Sequence, residues 1–154
     1  MWDEFGKKFG RRYTPVETYR AEDAELLLLM MGSFSQTAEV AVDALRQKGK
    51  KVGLVRIRLW RPFPFAELRQ AVRGAKVLAV FDRCLSYGGS GGPVCGEIKA
   101  ALYDEKERPA VFGFVGGLGG RDVFPEEFEG IIERGFTLAA QGRENTYEMI
   151  GVRE

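Results

Sequence analysis

The sequence predicts an α/β fold in which helices cover both faces of a doubly wound, mostly parallel sheet of four to five strands. Three observations support this class. Short apolar runs alternate with segments of helical periodicity, the alternation occurs four times, and the connecting segments are short. The apolar runs are also nearly continuous, which is typical of parallel strands that are buried on both faces.

The first half of the predicted fold consists of two strands and two helices. Residues 25–31 form a short apolar run that predicts the first strand, and a helix is expected after Ser33. The spacing of Ser33 and Gln36 predicts a capping box at the start of that helix. Residues 51–59 predict the second strand. Pro64 cannot continue a strand and is expected at the first position of a short helix.

The second half of the predicted fold repeats the pattern. Residues 77–82 and 110–115 predict the third and fourth strands. A glycine-rich loop leads to a helix at Pro93, and a last clear helix follows Pro125. The final stretch, residues 136–154, is compatible with one more helix or with an edge strand.

The domain organisation follows from the same pattern. Residues 1–23 are polar, aromatic and interrupted by glycine and proline, so they are expected to form a leading segment or linker. Residues 24–154 are expected to form one α/β domain, because a chain of 154 residues has the size of a single ordinary domain.

Composition excludes several function classes. The formal net charge is +1, with 23 basic and 22 acidic residues, so no basic field is expected to bind nucleic acid or an anionic membrane. The longest apolar run, Leu26–Met31, is too short to span a bilayer, and no secretory signal pattern opens the chain. A cytoplasmic location is expected.

Histidine is absent, which removes the commonest general base and metal ligand. The two cysteines, Cys84 and Cys95, lie in no spacing typical of zinc or iron–sulfur ligands, so no metal site is predicted. A disulfide between them is not expected in a reducing compartment. Cys84 follows Arg83, a cationic neighbour typical of reactive cysteines, but a small and mostly buried cysteine is the default expectation.

Three loops leave the carboxyl ends of predicted strands, where open α/β sheets bind their ligands. Their backbone N–H groups lie next to helix N-termini and are suited to bind a small anion, although no dinucleotide or P-loop spacing occurs. The alternative is that the glycines form tight turns or let another subunit approach closely. The residues of this candidate anion or interface site are Gly32, Ser33, Arg83, Ser86, Gly88, Gly89, Gly91, Gly92, Gly117, Gly119, Gly120, Arg121 and Asp122.

Two charge pairs lie at the ends of the last two predicted strands. Asp82 and Arg83 end the third strand, and Arg121 and Asp122 lie in the fourth loop, so the four charges are expected at one edge. Such a set is suited to orient a substrate carboxylate or to form salt bridges with a neighbouring chain. With no nucleophile or base nearby, the structural role is favoured and no catalytic residue is predicted.

An aromatic and proline-rich tract covers residues 60–65. Its residue types, tryptophan, phenylalanine and arginine, anchor many protein interfaces. An ordinary turn whose rings complete the core is the equally weighted alternative. The candidate interface residues are Arg58, Trp60, Arg61 and Phe63.

Several motifs in this order resemble a known family. YRAEDAE at 19–25, Met31-Gly32-Ser33, RPFP at 61–64 and GLGGRDV at 117–123 are similar to the C-terminal half of pyruvate:ferredoxin oxidoreductase α subunits. The resemblance covers nearly the whole chain and favours the pyruvate branch over the 2-oxoglutarate branch. It implies a domain similar to the C-terminal domain of transketolases.

The resemblance also implies an enzyme that converts pyruvate and CoA to acetyl-CoA and CO2 while ferredoxin is reduced. Thiamine diphosphate, magnesium and iron–sulfur clusters are expected in the complete enzyme, and none is expected on this chain. Its implied partners are the other domains and subunits, with ferredoxin and CoA as partners of the complete enzyme. The resemblance implies an assembly role for this chain, as a fragment or a split gene product. The alternative is a freestanding regulatory module that binds a small anion or nucleotide.

Overall fold

The computed structural model describes residues 2–142 and 147–152. Within them lie five helices, six strands and one short 3-10 turn. In chain order these are α1 (Trp2–Phe9), β1 (Val16–Tyr19), β2 (Leu26–Met31), α2 (Phe34–Gln47), β3 (Val52–Ile57), α3 (Phe65–Ala71), β4 (Val77–Asp82), α4 (Pro93–Ala101), β5 (Ala110–Val115), the turn Leu118–Gly120, α5 (Pro125–Ala140) and β6 (Glu148–Met149).

The six strands form one sheet in the order β1-β3-β2-β4-β5-β6. The five strands from β2 to β6 are parallel, and β1 pairs antiparallel with β3 at one edge. The carboxyl ends of the parallel strands therefore lie along the same edge of the sheet, which we call the carboxyl edge. After β2 the chain forms β3 on one side of it and then crosses to form β4 on its other side. The direction in which successive strands are added to the sheet therefore reverses next to β2.

Helices cover both faces of the sheet, as predicted. Side chains of β2 alternate between two cores: Leu26 and Leu28 pack on the face that carries α2 and α5, whereas Leu27 and Leu29 pack on the face that carries α3 and α4. All four leucines are buried. The α/β doubly wound class is thus confirmed. No helix within the described residues is both long and apolar enough to cross a membrane.

The sheet has six strands in the described residues rather than the four to five that were predicted. The first added strand, β1, lies inside the segment expected to be a linker, and its four residues are too few and too polar to show a clear period. The second, β6, is a two-residue strand beside β5 and supplies the edge strand of the final stretch. The boundary between residues 23 and 24 stays a prediction.

The predicted capping box at the start of α2 is wrong. Ser33 has helical backbone angles, φ −68° and ψ −27°, and its side chain makes no capping hydrogen bond. A serine caps a helix from an extended conformation, which places its oxygen in front of the first free N–H groups. Instead, the buried hydroxyl of Ser35 donates to the carbonyl of Gly32 at 2.7 Å.

Candidate functional site at the carboxyl edge

The buried carboxylate of Asp82 closes the N-terminus of α4. Asp82 ends β4, is 3% exposed, and accepts hydrogen bonds from the backbone N–H groups of Val94 at 2.8 Å and Cys95 at 3.0 Å. Burial raises the pKa of Asp82, while the two hydrogen bonds act in the opposite direction. The donors that would bind an external anion at this helix are therefore already bound to the chain's own carboxylate.

Gly92 is required by this arrangement. A Cβ atom at position 92 would overlap the carboxylate of Asp82, so a glycine is needed where the loop passes the end of β4. Pro93 follows at the first position of α4, where its lack of an N–H costs nothing.

The glycine-rich loop 83–92 is closed by its own backbone. The N–H of Ser86 donates to the carbonyl of Gly91 at 2.7 Å, and the N–H of Gly89 donates to the carbonyl of Ser86 at 2.9 Å. Gly88 has a φ of +68°, which favours glycine. These features match the turn alternative of the sequence analysis. The side chain of Tyr87 at the loop tip is fully exposed.

The loop after β5 is likewise held within the chain. Gly117, Gly119 and Gly120 all have positive φ values and form a tight turn. Arg121 pairs with Glu127 at 2.9 Å, and the Glu127 carboxylate also accepts the N–H of Phe124 at 3.0 Å. The start of α5 is therefore also closed by a carboxylate of the chain itself.

The four charges predicted at this edge have separate partners. Asp82 binds backbone N–H groups, Arg83 lies over an aromatic ring, and Arg121 pairs with Glu127. Asp122 is exposed. Its backbone carbonyl accepts a hydrogen bond from the Arg121 guanidinium at 3.1 Å. No ion pair joins the four to one another in the described part of the chain. Three of these four side chains thus contact separate parts of the chain.

Arg83, Phe34 and Gly117 meet beside the point where the strand order reverses. The guanidinium carbon of Arg83 lies 4.2 Å from the ring centroid of Phe34, the first residue of α2. A Cβ at Gly117 would lie 2.8 Å from that ring and 3.4 Å from Nε of Arg83. Three loops are thus joined at one point. The sequence analysis missed Phe34; the available signal was an aromatic residue directly after the Gly32-Ser33 pair.

The aromatic tract 60–65 is folded as a turn, with some of its side chains packed inward and others exposed. Trp60 and Phe63 are partly buried, pack against the core beneath α3 and α4, and contact each other edge to face at 5.5 Å. Arg61 lies outside them, 4.5 Å from the Trp60 ring, and pairs with Glu97 at 3.0 Å. Phe65 is 48% exposed. The tract is therefore a tucked turn with a solvent-exposed rim.

Arg58 lies at the other end of the carboxyl edge. It pairs with Glu17 of β1 at 2.6 Å and lies 4.9 Å from the ring of Tyr13. Gly32 and Ser33 line a cavity of about 450 Å³ beside it, and the side chains of Trp2 and Arg56 form part of its wall. Arg56 in turn pairs with Glu17 and Glu39, so the basic groups of this cavity are balanced by acidic ones.

The two cysteines differ in environment and both are free. Cys84 is exposed in the loop after β4, so the expectation that it is mostly buried is wrong. Cys95 is buried, and burial raises the pKa of its thiol to about 11. Iron–sulfur clusters require sets of thiolates, and the described residues include no group of three acidic, cysteine or histidine side chains placed to hold a metal.

Comparison with solved structures defines the class of fold. The chain is similar to a 2-oxoglutarate:ferredoxin oxidoreductase from Magnetococcus marinus, with a TM-score of 0.58 and 19% identity over 86% of this chain and 21% of that one. It is also similar to a split-gene transketolase, with a TM-score of 0.62 and 15% identity over 84% of this chain and 45% of that one. At these identities the likeness shows a shared domain fold.

Sequence comparison then gives the family. Residues 24–128 match the family model of pyruvate:ferredoxin oxidoreductase core domain II, and the chain belongs to this family. It is 43% identical to pyruvate synthase subunit PorA of Methanothermobacter thermautotrophicus over 98% of this chain and 37% of that protein. It is 42% identical to ketoisovalerate oxidoreductase subunit VorA of Pyrococcus horikoshii over 84% of this chain and 33% of that protein. The chain thus spans well under half the length of these relatives.

Proposed function

We propose that this chain is the assembly domain of the α subunit of a thiamine-diphosphate-dependent pyruvate:ferredoxin oxidoreductase. The complete enzyme would convert pyruvate and CoA to acetyl-CoA and CO2 and pass electrons through iron–sulfur clusters to ferredoxin. The observation that carries the proposal is 43% identity to a pyruvate synthase subunit over 98% of this chain. Two further PorA subunits, of Pyrococcus furiosus and Thermotoga maritima, are 39% and 40% identical over a similar span.

Pyruvate is proposed as the substrate of the complete enzyme on the same grounds. The VorA relative is nearly as similar to the chain, and its name indicates a larger, branched 2-oxoacid. This similarity suggests that a domain of this type is compatible with more than one substrate. Because the sequence predicts no catalytic residue on this chain, we assign the choice of substrate to other parts of the enzyme.

The geometry supports an assembly role over ligand binding. Of the four helices that follow parallel strands at the carboxyl edge, α4 and α5 are closed by the chain's own carboxylates, Asp82 and Glu127. At the same edge, Tyr87 is fully exposed and Leu85 is 41% exposed. Large exposed side chains of this kind are suited to protein contacts. We assign this loop and the exposed rim of the 60–65 tract to contacts with neighbouring domains or subunits.

Affinity purification of the chain from its native cells tests the assembly role. A tag placed on the chain should recover other subunits together with pyruvate- and CoA-dependent reduction of ferredoxin. A tagged Tyr87→Asp variant tests the contact surface, and it leaves the core untouched because Tyr87 is fully exposed. Its yield of partner subunits should fall while its own melting temperature is unchanged. Recovery of the wild-type chain alone would contradict the proposal.

Ligand binding by the isolated chain tests the alternative of a freestanding module. Calorimetric titration with thiamine diphosphate, inorganic phosphate, nucleotides, CoA and pyruvate should show no saturable binding if the chain works through assembly. A freestanding module would instead gain melting temperature with ligand concentration. Tight binding of thiamine diphosphate by the chain alone would contradict the proposed division of labour between domains.

A further inference from the structure

Strand β1 is an edge strand with a free side. It lies at the end of the sheet in the described residues and pairs with β3 only. The backbone carbonyl of Pro15 accepts a hydrogen bond from the N–H of Arg58. Hydrogen-bonded and non-hydrogen-bonded residues alternate along an antiparallel pair, so the backbone groups of Glu17 and Tyr19 also face β3. The backbone groups of Val16 and Thr18 therefore point away from β3. The outward carbonyl of Val16 accepts the hydroxyl of Thr14 at 2.7 Å. The outward N–H groups are available to another strand.

A groove of about 940 Å³ runs beside this edge. Residues 13–18 form one wall, and Glu67, Gln70 and Ala71 of α3 form the other, with Trp2 of α1 at one end. A strand added to β1 would lie in this groove and place alternate side chains against α3. The groove therefore combines backbone donors with a lined channel for side chains.

The groove is acidic. Asp3, Glu22 and Glu67 line it, and none of them forms an ion pair with another described residue. A fourth acidic residue, Glu17, forms ion pairs with Arg56 of β3 and with Arg58, which follows β3. One basic residue, Arg73, also lines the groove. The unpaired charge at this surface is therefore negative, which favours a basic occupant.

A second copy of the chain fits this surface poorly. Two β1 edges paired across a two-fold axis would bring one acidic groove against the other, and like charges across an interface oppose association. A basic segment of a different polypeptide meets both requirements of the site, free backbone groups and opposite charge. We propose that the β1 edge binds an extended segment of a partner protein, with basic residues at alternate positions, as a seventh strand.

Amide hydrogen exchange on the 154-residue chain tests this proposal with defined peptides. The probe is a synthetic peptide of alternating lysine and valine, and the matched control alternates glutamate and valine. Saturating lysine peptide should slow exchange at the Val16 and Thr18 amides by at least about tenfold, with little change along β6. The glutamate peptide should leave both amides unchanged. No protection by the lysine peptide at millimolar concentration would overturn the proposal.

A second test of the proposal reverses the charge of acidic residues in the groove and measures binding of the lysine peptide. Glu22→Lys and Glu67→Lys should each weaken binding of the lysine peptide by about fivefold at low salt. Glu126→Lys reverses an exposed acidic residue in the first turn of α5, away from the groove, and should leave binding unchanged. Equal effects of all three variants would overturn the proposal. Protection of Val16 and Thr18 that rises with chain concentration without peptide would also overturn it, because a second copy would then occupy the edge.

Discussion

The helices α2 and α4 follow the neighbouring strands β2 and β4 at the carboxyl edge, on opposite faces of the sheet, and their first turns are held in different ways. At α4, the buried carboxylate of Asp82 binds two backbone N–H groups, and a glycine-rich loop folds tightly around it. At α2, no side chain caps the helix, and an aromatic residue, Phe34, supports the arginine of the neighbouring loop. The loop with more glycines, 83–92, therefore leads into the helix whose first N–H groups are already bound by the chain's own carboxylate. Glycine content alone does not indicate an open anion site.

The largest expected effect concerns Gly92. Gly92→Ala would place a methyl group onto the Asp82 carboxylate and should lower the free energy of unfolding by about 3 kcal/mol, measured by urea denaturation. Gly96→Ala is the matched control, since Gly96 lies in α4 with open space around its Cα. That change should leave stability equal or raise it by about 0.5 kcal/mol. Similar losses in both variants would show that α4 does not depend on the buried cap.

The next effect concerns the carboxylate itself. Asp82→Asn replaces one of the two accepting oxygens with an NH2 group that faces a backbone N–H, and should cost about 2 kcal/mol. Asp104→Asn, an exposed residue after α4, is the control and should be nearly neutral. Loss of stability in the control alone would contradict the assignment of the cap.

The pH dependence of the same variant tests the raised pKa. Because the folded-state pKa of Asp82 lies above its ordinary value of 3.8, the folded chain binds more protons than the unfolded chain between these two values. The stability that Asp82 contributes is then fully present below 3.8 and falls as the pH rises through the folded pKa. The difference between wild type and Asp82→Asn should shrink over that window in urea denaturation. A difference that grows with pH would mean that the hydrogen bonds outweigh burial.

A smaller effect separates two serines at α2. Ser35→Ala removes the buried hydrogen bond to the Gly32 carbonyl and should cost about 1 kcal/mol. Ser33→Ala removes a hydroxyl that makes no capping bond and should cost less than about 0.5 kcal/mol. Thermal unfolding of both variants measures the difference. The opposite ranking would restore the capping box that the sequence spacing predicts.

These sites mark how far the sequence predicts the structure. Residues 77–82 and 110–115 were predicted as strands with the bounds that the structure gives, because continuous apolar runs depend on burial alone. β1 was missed because its place depends on pairing with β3, which lies far along the chain. The partner of Asp82 and the stacking of Arg83 on Phe34 were missed for the same reason, since both join residues from separate segments.

The smallest effect tests whether Arg83 links the two helix starts. Arg83→Ala and Phe34→Leu, alone and together, form a double-mutant cycle, and we expect a coupling of about 0.5 kcal/mol from an exposed cation over an aromatic ring. The control cycle combines Phe34→Leu with Arg121→Ala, whose guanidinium pairs with Glu127 instead, and should show no coupling. Equal coupling in both cycles would mean that Phe34 acts on the whole edge through packing and not through the Arg83 stack. Coupling confined to the first cycle would show that the Arg83 side chain links the start of α2 to the loop that leads into α4.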